Sequence, residues 1–113
     1  MSDAPVALDR LRQLAPGEPA DLRSFAEVFV QALDEHVTEL GRALATGEIA
    51  TVEQVAHTAA GMAGMCGAGA LAGLLEHIET EARQGNLALA RDRCTTIDAE
   101  RDRVRAFLDQ QLT

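Results

Sequence analysis

Apolar residues recur at spacings of three and four along most of this chain, which is the period of an amphipathic α-helix. Between residues 21 and 45 this pattern predicts one long helix. Gly47 is suited to end that helix, because glycine readily adopts the left-handed conformation of a helix C-cap. A shorter apolar pattern over residues 6–14 precedes a break at residues 15–19, which contains prolines and a glycine. These patterns predict a short first helix and a long second helix.

Breaks that contain glycine divide the remainder of the chain into three further segments with helical periodicity. The predicted helices cover about residues 51–66, 70–83 and 87–112. Thr51 is suited to begin the third helix, because Gln54 follows three residues later at the spacing of a capping box. Residues 67–69 should interrupt the chain before the fourth helix, and residues 85–86 should end that helix. The last helix is predicted as one continuous element.

The connections between these segments are short, which favours antiparallel packing of neighbouring helices. Ala and Leu dominate the apolar residues, whereas aromatic and β-branched residues are sparse, so a sheet is not expected. The sequence therefore predicts an all-α fold, an antiparallel up-down four-helix bundle with a short additional N-terminal helix. Its 113 residues are the size of one domain, with the core bundle over about residues 20–112.

The chain is acidic, with a formal net charge of -8, and all ten of its basic residues are Arg. An acidic surface repels nucleic acid and anionic lipid, so we expect neither as a partner. The absence of Lys from the sequence excludes a Schiff base on a lysine and a Walker A phosphate loop.

The cysteines and the N-terminal segment bear on the cellular compartment. Cys66 and Cys94 are too far apart in sequence for a metal knuckle, and we expect both to stay reduced and to pack as small core residues. The N-terminus has no basic region followed by an apolar run, which argues against a signal peptide. The uncharged stretch over residues 59–75 is shorter than a membrane span, so we expect a buried bundle segment. These features predict a cytoplasmic protein.

The third predicted helix carries a histidine on its polar side. The apolar residues of this helix share one face, whose centre lies about 160° from His57 on the helical wheel, so the imidazole should point to solvent. A glycine inside a helix costs about 0.5–1 kcal/mol relative to alanine. Gly61 and Gly64 are predicted to face away from the core, which suggests that another molecule approaches the helix closely beside His57. The residues one and two turns from His57 are Glu53, Gln54, Ala60, Gly61 and Gly64.

An exposed imidazole is suited to phosphoryl transfer. A neutral imidazole nitrogen is a nucleophile near neutral pH, because the unperturbed pKa of histidine is about 6.5. It can hold a phosphoryl group in a P–N bond that remains reactive toward a carboxylate. Such transfer requires positioning and charge stabilisation more than covalent chemistry, so a bare surface would let a partner bring its own Mg²⁺ and acidic pocket.

Three segments around and after His57 carry a combination of motifs. Residues 56–63, AHTAAGMA, resemble the phosphoacceptor motif of histidine-containing phosphotransfer (HPt) domains, in which Leu, Lys and Gly follow the histidine. Residues 67–72, GAGALA, are similar to the turn into the next helix of that family, and residues 78–85, IETEARQG, to the end of that helix. The predicted second helix also resembles its counterpart in the family. The resemblance covers roughly residues 18–110.

The resemblance implies a phosphocarrier rather than an enzyme. His57 would accept a phosphoryl group from the aspartate of one receiver domain and pass it to another. The implied partners are receiver domains of response regulators and hybrid histidine kinases, and we expect a monomer. The protein itself would need no metal or other cofactor, since Mg²⁺ is expected on the receiver. The docking surface around His57 is predicted to comprise Glu53, Gln54, Thr58, Ala60, Gly61 and Gly64.

The phosphoacceptor segment departs from the family's motif at two positions. Ala60 stands where the family usually has Lys, and Ala59 stands where it has Leu. The loss of Lys removes a positive charge that could stabilise a bound phosphoryl group. This difference favours an alternative function, a docking module that regulates a kinase or receiver by binding without transfer. A plain helical scaffold is a third hypothesis, but it leaves the outward-facing glycines unexplained.

Other polar residues suggest weaker alternatives. His36 lies near the apolar stripe of its helix and should be a partly buried packing residue, whereas His77 lies among glutamates and should be exposed. A zinc site that combines His57, His77 and a cysteine lacks the usual ligand spacing, and the glycine-rich run lacks the preceding strand of a dinucleotide-binding loop. The Arg and Asp residues over 91–105 predict a solvated helix face with surface ion pairs.

Overall fold

Helices account for most of the fold in the computed structural model, which describes residues 4–112. The elements are α1 (Leu8–Leu14), α2 (Pro19–Thr46), α3 (Ile49–Met65), α4 (Gly69–Arg83), α5 (Leu87–Asp92) and α6 (Cys94–Leu112). No strand occurs over residues 4–112. The long helices α2, α3, α4 and α6 are joined by short connections and form the bundle. The structure thus confirms the predicted all-α helical bundle with a short N-terminal helix.

The ends of α2 are set by residues suited to caps. Pro19 is the first residue of the helix, where its missing N–H group has no intrahelical partner to lose. The backbone N–H of Glu18 donates a hydrogen bond of 3.0 Å to the carboxylate of Asp21. Gly47 has a φ of 77° and ends the helix in the left-handed conformation, as the sequence predicted.

The start of α3 differs from the prediction. The helix begins at Ile49 with Glu48 at the N-cap position, so Thr51 lies inside the first turn and does not cap it. The reason is the tight turn at Gly47, after which the N–H of Glu48 donates a hydrogen bond of 3.0 Å to the carbonyl of Ala43. The chain has then already reversed, and the next helix starts before the side chain of Thr51 could cap it.

The single helix predicted over residues 87–112 is wrong, because the chain forms α5 and α6 with a break at Arg93. The N–H of Arg93 lies 3.3 and 3.2 Å from the carbonyls of Leu89 and Ala90, which tightens the last turn of α5. The Nε atom of Arg93 lies 2.6 and 2.7 Å from the two carboxylate oxygens of Glu81 on α4. This ion pair ties the residue between α5 and α6 to the buried carboxylate of Glu81.

The most extensive contact between two helices joins α3 to α4. It is close because α3 contributes small side chains, and Ala56, Ala59, Ala60 and Ala63 are all buried. Small residues at a helix contact let the two axes approach each other. The close approach brings one edge of α4 beside the outer face of α3, where His57 lies.

The N-terminal helix α1 is anchored on the turn between α3 and α4. Val6 and Leu11 are buried in the core. The N–H of Ala7 donates a hydrogen bond of 2.9 Å to the carbonyl of Gly67. Gly67 has a φ of 87°, and a Cβ at this position would lie only 2.8 Å from the carbonyl oxygen of Ala7. Glycine is therefore required here both by the backbone conformation and by the approach of the chain before α1.

The uncharged stretch over residues 59–75 was predicted to be buried and is so only in part, since Ala63 and Leu71 are buried whereas Gly61 and Met65 are exposed. Cys66 is buried, Cys94 is half-buried, and both thiols are free. Burial raises the pKa of both thiols, so each is a weak nucleophile near neutral pH. Within residues 4–112 no helix is long and apolar enough to cross a lipid bilayer.

The solvated face predicted for residues 91–105 is only partly present. Arg101 and Arg105 both reach across to Asp34 on α2, and the Nε atom of Arg101 lies 3.6 Å from its carboxylate. Together with the pair between Arg93 and Glu81, these contacts tie α6 to its neighbours. The arginines of this segment therefore join helices as well as cover a surface.

Candidate functional site

His57 lies in the middle of α3 with its side chain 76% exposed to solvent. The preceding residue, Ala56, is fully buried, so the helix presents its apolar face to the core and His57 to the outside. This arrangement confirms the exposure predicted from the helical wheel. An imidazole in this position can meet a second protein without any rearrangement of the bundle.

A carboxylate from the neighbouring helix orients the imidazole. The Nδ1 atom of His57 lies 3.0 Å from the Oε2 atom of Glu79 on α4. Two lone pairs would repel each other at this distance, so the neutral ring carries its proton on Nδ1. The lone pair of the ring then lies on Nε2, and Nε2 is the nucleophilic nitrogen.

The same carboxylate also binds a cation. The Nη2 atom of Arg83 lies 2.8 Å from Oε2 of Glu79, and its Nε atom lies 3.1 Å from the carboxylate of Glu53 on α3. The hydrogen bond with Glu53 raises the pKa of Arg83, which keeps the guanidinium charged. The side chains of His57 and Arg83 are 76% and 58% exposed, whereas that of Glu79 is only 14% exposed. The network places a positive charge close to His57.

The side of α3 that points away from α4 is open. Gln54, Thr58 and Gly61 are exposed there, as predicted. A Cβ at Gly61 would meet no neighbouring side chain or other helix within 4 Å. A partner could therefore approach the backbone of α3 directly beside His57.

The side of α3 that faces α4 differs from the prediction. Ala60 is only 6% exposed, because it is rotated about 60° from His57 toward α4 and lies at the helix contact. It cannot line an open docking face. Gly64 is exposed, but a Cβ there would lie 3.8 Å from the Cβ of Ala72 on α4, an ordinary packing distance. Glu53 is half-buried, since it binds Arg83.

Two residues of the site were not identified as site residues from the sequence. In the sequence, Glu79 and Arg83 belong to the segment that resembles the family's helix ending, and their spacing of four predicts an ion pair on one face of α4. Which face of α4 meets His57 depends on the register between the two helices. That register follows from the packing of α3 on α4 and cannot be inferred from the periodicity of either helix alone.

The remaining histidines lie elsewhere. His36 is half-buried and His77 is exposed, in agreement with the sequence prediction. Within residues 4–112 no group of three or more His, Cys, Asp or Glu side chains is arranged to hold a metal ion.

Comparison with known proteins identifies the family of the chain. The sequence model of the Hpt domain family matches residues 24–107. The chain belongs to the Hpt domain family. Its structure is similar to the crystal structure of histidine-containing phosphotransfer protein B (HptB) from Pseudomonas aeruginosa PAO1, with a TM-score of 0.89 and 25% sequence identity, over 98% of this chain and 96% of that one. A search among curated proteins gave no match.

Membership in the family assigns a general role. Hpt domains are phosphocarriers, and they interact with receiver domains in phosphorelays. Histidine phosphotransfer in a two-component phosphorelay is therefore the function in which this chain takes part.

Proposed function

We propose that His57 is the phosphoacceptor and that the chain relays a phosphoryl group between the aspartates of two receiver domains. The observation that carries the proposal is the contact between Nδ1 of His57 and Glu79, which leaves Nε2 on an exposed side chain as the nucleophile. Receiver domains of response regulators and hybrid histidine kinases are the proposed donors and acceptors.

The transfer itself is an in-line displacement. The lone pair on Nε2 of His57 forms the N–P bond while the P–O bond to the receiver's aspartate breaks, and the carboxylate leaves with the electron pair. The proton on Nδ1 stays in place, and Glu79 stabilises the positive charge that the ring gains. Mg²⁺ held by the receiver's carboxylates would neutralise the phosphoryl oxygens, so the chain needs no metal of its own. Transfer to the second receiver is the reverse reaction.

Arg83 is the proposed source of positive charge on this side of the reaction. The family usually has Lys at the position of Ala60, whereas here the guanidinium of Arg83 binds the carboxylate that touches His57. A guanidinium is always charged and can bind two phosphoryl oxygens at once. On phosphorylation of His57, the new dianion can compete with Glu79 for this cation.

The test is transfer of label from a phosphorylated receiver. Purified receiver domains carrying [³²P]phosphoaspartate are mixed with the wild-type protein and with His57→Gln, whose fold is checked by thermal unfolding. We expect label that is acid-labile and base-stable on the wild type alone, because only His57 offers the nucleophile. Equal labelling of His57→Gln would assign the acceptor to another residue.

The alternative is a docking module that regulates a receiver or kinase by occupancy without transfer. The observation that favours it is Ala60, which lacks the positive charge of the family's usual Lys. The same experiment separates the two functions. Receivers that bind the wild type in a pull-down but leave it unlabelled would support docking without transfer and contradict the relay.

A further inference from the structure

The N-terminal helix is a fixed part of this protein that precedes the residues matched by the family's sequence model. The Hpt domain match begins at residue 24, whereas α1 covers residues 8–14. Burial of Val6 and Leu11 and the hydrogen bond between Ala7 and Gly67 hold α1 against the bundle. Side chains on its outer face are therefore presented in a defined position.

One face of α1 borders the helix face that carries His57. An open cleft beside α1 is lined by Asp9, Arg10, Gln13 and Gly64, together with Ala7 and glycines of the turn that follows α3. Gly64 lies two turns after His57, about 10 Å along the axis and within about 20° of it on the helical wheel. The cleft therefore continues the exposed surface around His57 toward α1.

Arg10 brings an unpaired positive charge to this cleft. Its Nε atom donates a hydrogen bond of 3.4 Å to the carbonyl of Met65 at the end of α3. Among the carboxylates of residues 4–112, none forms an ion pair with Arg10, whereas Arg12 on the same helix pairs with Asp9 at 3.3 Å. The side chain of Met65 is 54% exposed beside it. Among the described residues, the cleft thus holds a cation without an ion pair beside Asp9, whose carboxylate pairs with Arg12. The exposed apolar side chain of Met65 lies next to the cleft, at the end of α3.

We propose that α1 and Met65 extend the receiver-docking surface and that Arg10 contacts the acidic rim of the receiver's phosphorylation site. This inference rests on the proposed function of His57. A stable interface buries about 800 Å² on each partner, which is the area of a disc with a radius of about 16 Å. Since Gly64 in the cleft lies about 10 Å from His57 along the helix axis, a receiver centred on His57 reaches the cleft. The carboxylates that hold Mg²⁺ make the receiver's site acidic, and this chain has a net charge of -8. A cation at the rim offsets part of the resulting repulsion.

The experiment compares two charge reversals on one helix. Arg10→Glu removes the cation of the docking surface, whereas Arg12→Glu makes the same charge change about 200° around α1. Arg12 lines a different cleft, with Pro16 and Gln111. The probe is the receiver domain that phosphorylates the wild type fastest in the labelling assay above, and kcat/KM for transfer is measured at several salt concentrations.

We expect Arg10→Glu to lower kcat/KM about fivefold at low salt, mainly by raising KM, because charges at the rim of an interface act on association. The effect should be smaller at high salt, since salt screens exposed charges. Arg12→Glu should retain the wild-type value. Met65→Glu tests the apolar part of the surface and should lower kcat/KM by a similar factor. Unchanged transfer in both Arg10→Glu and Met65→Glu would overturn this inference and leave the role of His57 intact. No transfer from any receiver to the wild type would instead overturn the proposed function and this inference with it.

Discussion

At the scale of single residues, the site depends on how one carboxylate is shared. Oε2 of Glu79 lies 3.0 Å from Nδ1 of His57 and 2.8 Å from Nη2 of Arg83. The first contact fixes the tautomer of the imidazole, and the second holds a cation nearby. The partner of Glu79 in each contact is largely exposed, so the contacts stabilise the fold modestly, and we expect their effect in the transfer reaction.

Glu79→Gln should slow phosphotransfer without unfolding the protein. The amide cannot hold the proton on Nδ1 as a carboxylate does, so we expect a loss of about tenfold, less than the loss of a full general base. The ¹⁵N chemical shifts of His57 should show a larger fraction of the tautomer protonated on Nε2. Glu76→Gln removes an equal charge one turn earlier on α4 and is the matched control. An unchanged tautomer in Glu79→Gln would contradict the positioning role.

At the scale of elements, α3 packs closely against α4 on one side, and on its open side it carries Gly61, a residue with low helix propensity. Its buried face consists of alanines that let α4 approach, while Gly61 on the open face lowers the intrinsic stability of the helix. No packing contact accounts for Gly61, since a Cβ there would meet no neighbouring side chain or other helix within 4 Å. Access of a partner to His57 is the explanation that remains.

Gly61→Ala should stabilise the protein by about 0.5–1 kcal/mol, because alanine is the better helix former and there is room for its methyl group. Gly73→Ala on α4 should stabilise it similarly, since a Cβ there also meets open space. Urea unfolding measures the free energy of unfolding of both variants.

Gly61→Glu should block phosphotransfer from the receiver, because the added side chain obstructs the open face beside His57. Gly73→Glu is the control and should transfer normally, since residue 73 is turned about 120° from Glu79 on α4. Wild-type transfer by Gly61→Glu would rule out the open-surface explanation.

At the scale of the whole molecule, ion pairs join helices that are distant in sequence. Arg93 binds the buried carboxylate of Glu81, and Arg101 and Arg105 bind Asp34. A buried carboxylate without its partner is costly, because its desolvation is no longer offset by a nearby cation. The pair between Arg93 and Glu81 therefore ties the junction of α5 and α6 to α4.

Arg93→Leu should destabilise the protein by about 2 kcal/mol, below the usual loss for a fully buried pair because Arg93 is partly exposed. Glu81→Leu combined with Arg93→Leu should recover most of this loss, since the uncompensated charge is then gone. Arg12→Leu is the comparison, because the carboxylate that Arg12 pairs with, Asp9, is exposed. Urea unfolding of the single and double variants gives the coupling energy. A double variant no more stable than Arg93→Leu would show that the buried carboxylate is not the cause.

The sequence by itself determined the class of fold, most helix boundaries and the exposure of His57, because these follow from local periodicity and from the backbone preferences of residues such as Gly47. It did not place the start of α3 or the break at Arg93, since a tight preceding turn and a contact with Glu81 decide them. Only the tertiary structure decided that Ala60 is buried and that Glu79 reaches His57. The burial of Ala60 and the contact of Glu79 with His57 depend on the register between α3 and α4. Packing between the two helices sets this register, and the spacing of apolar residues within either helix does not reveal it.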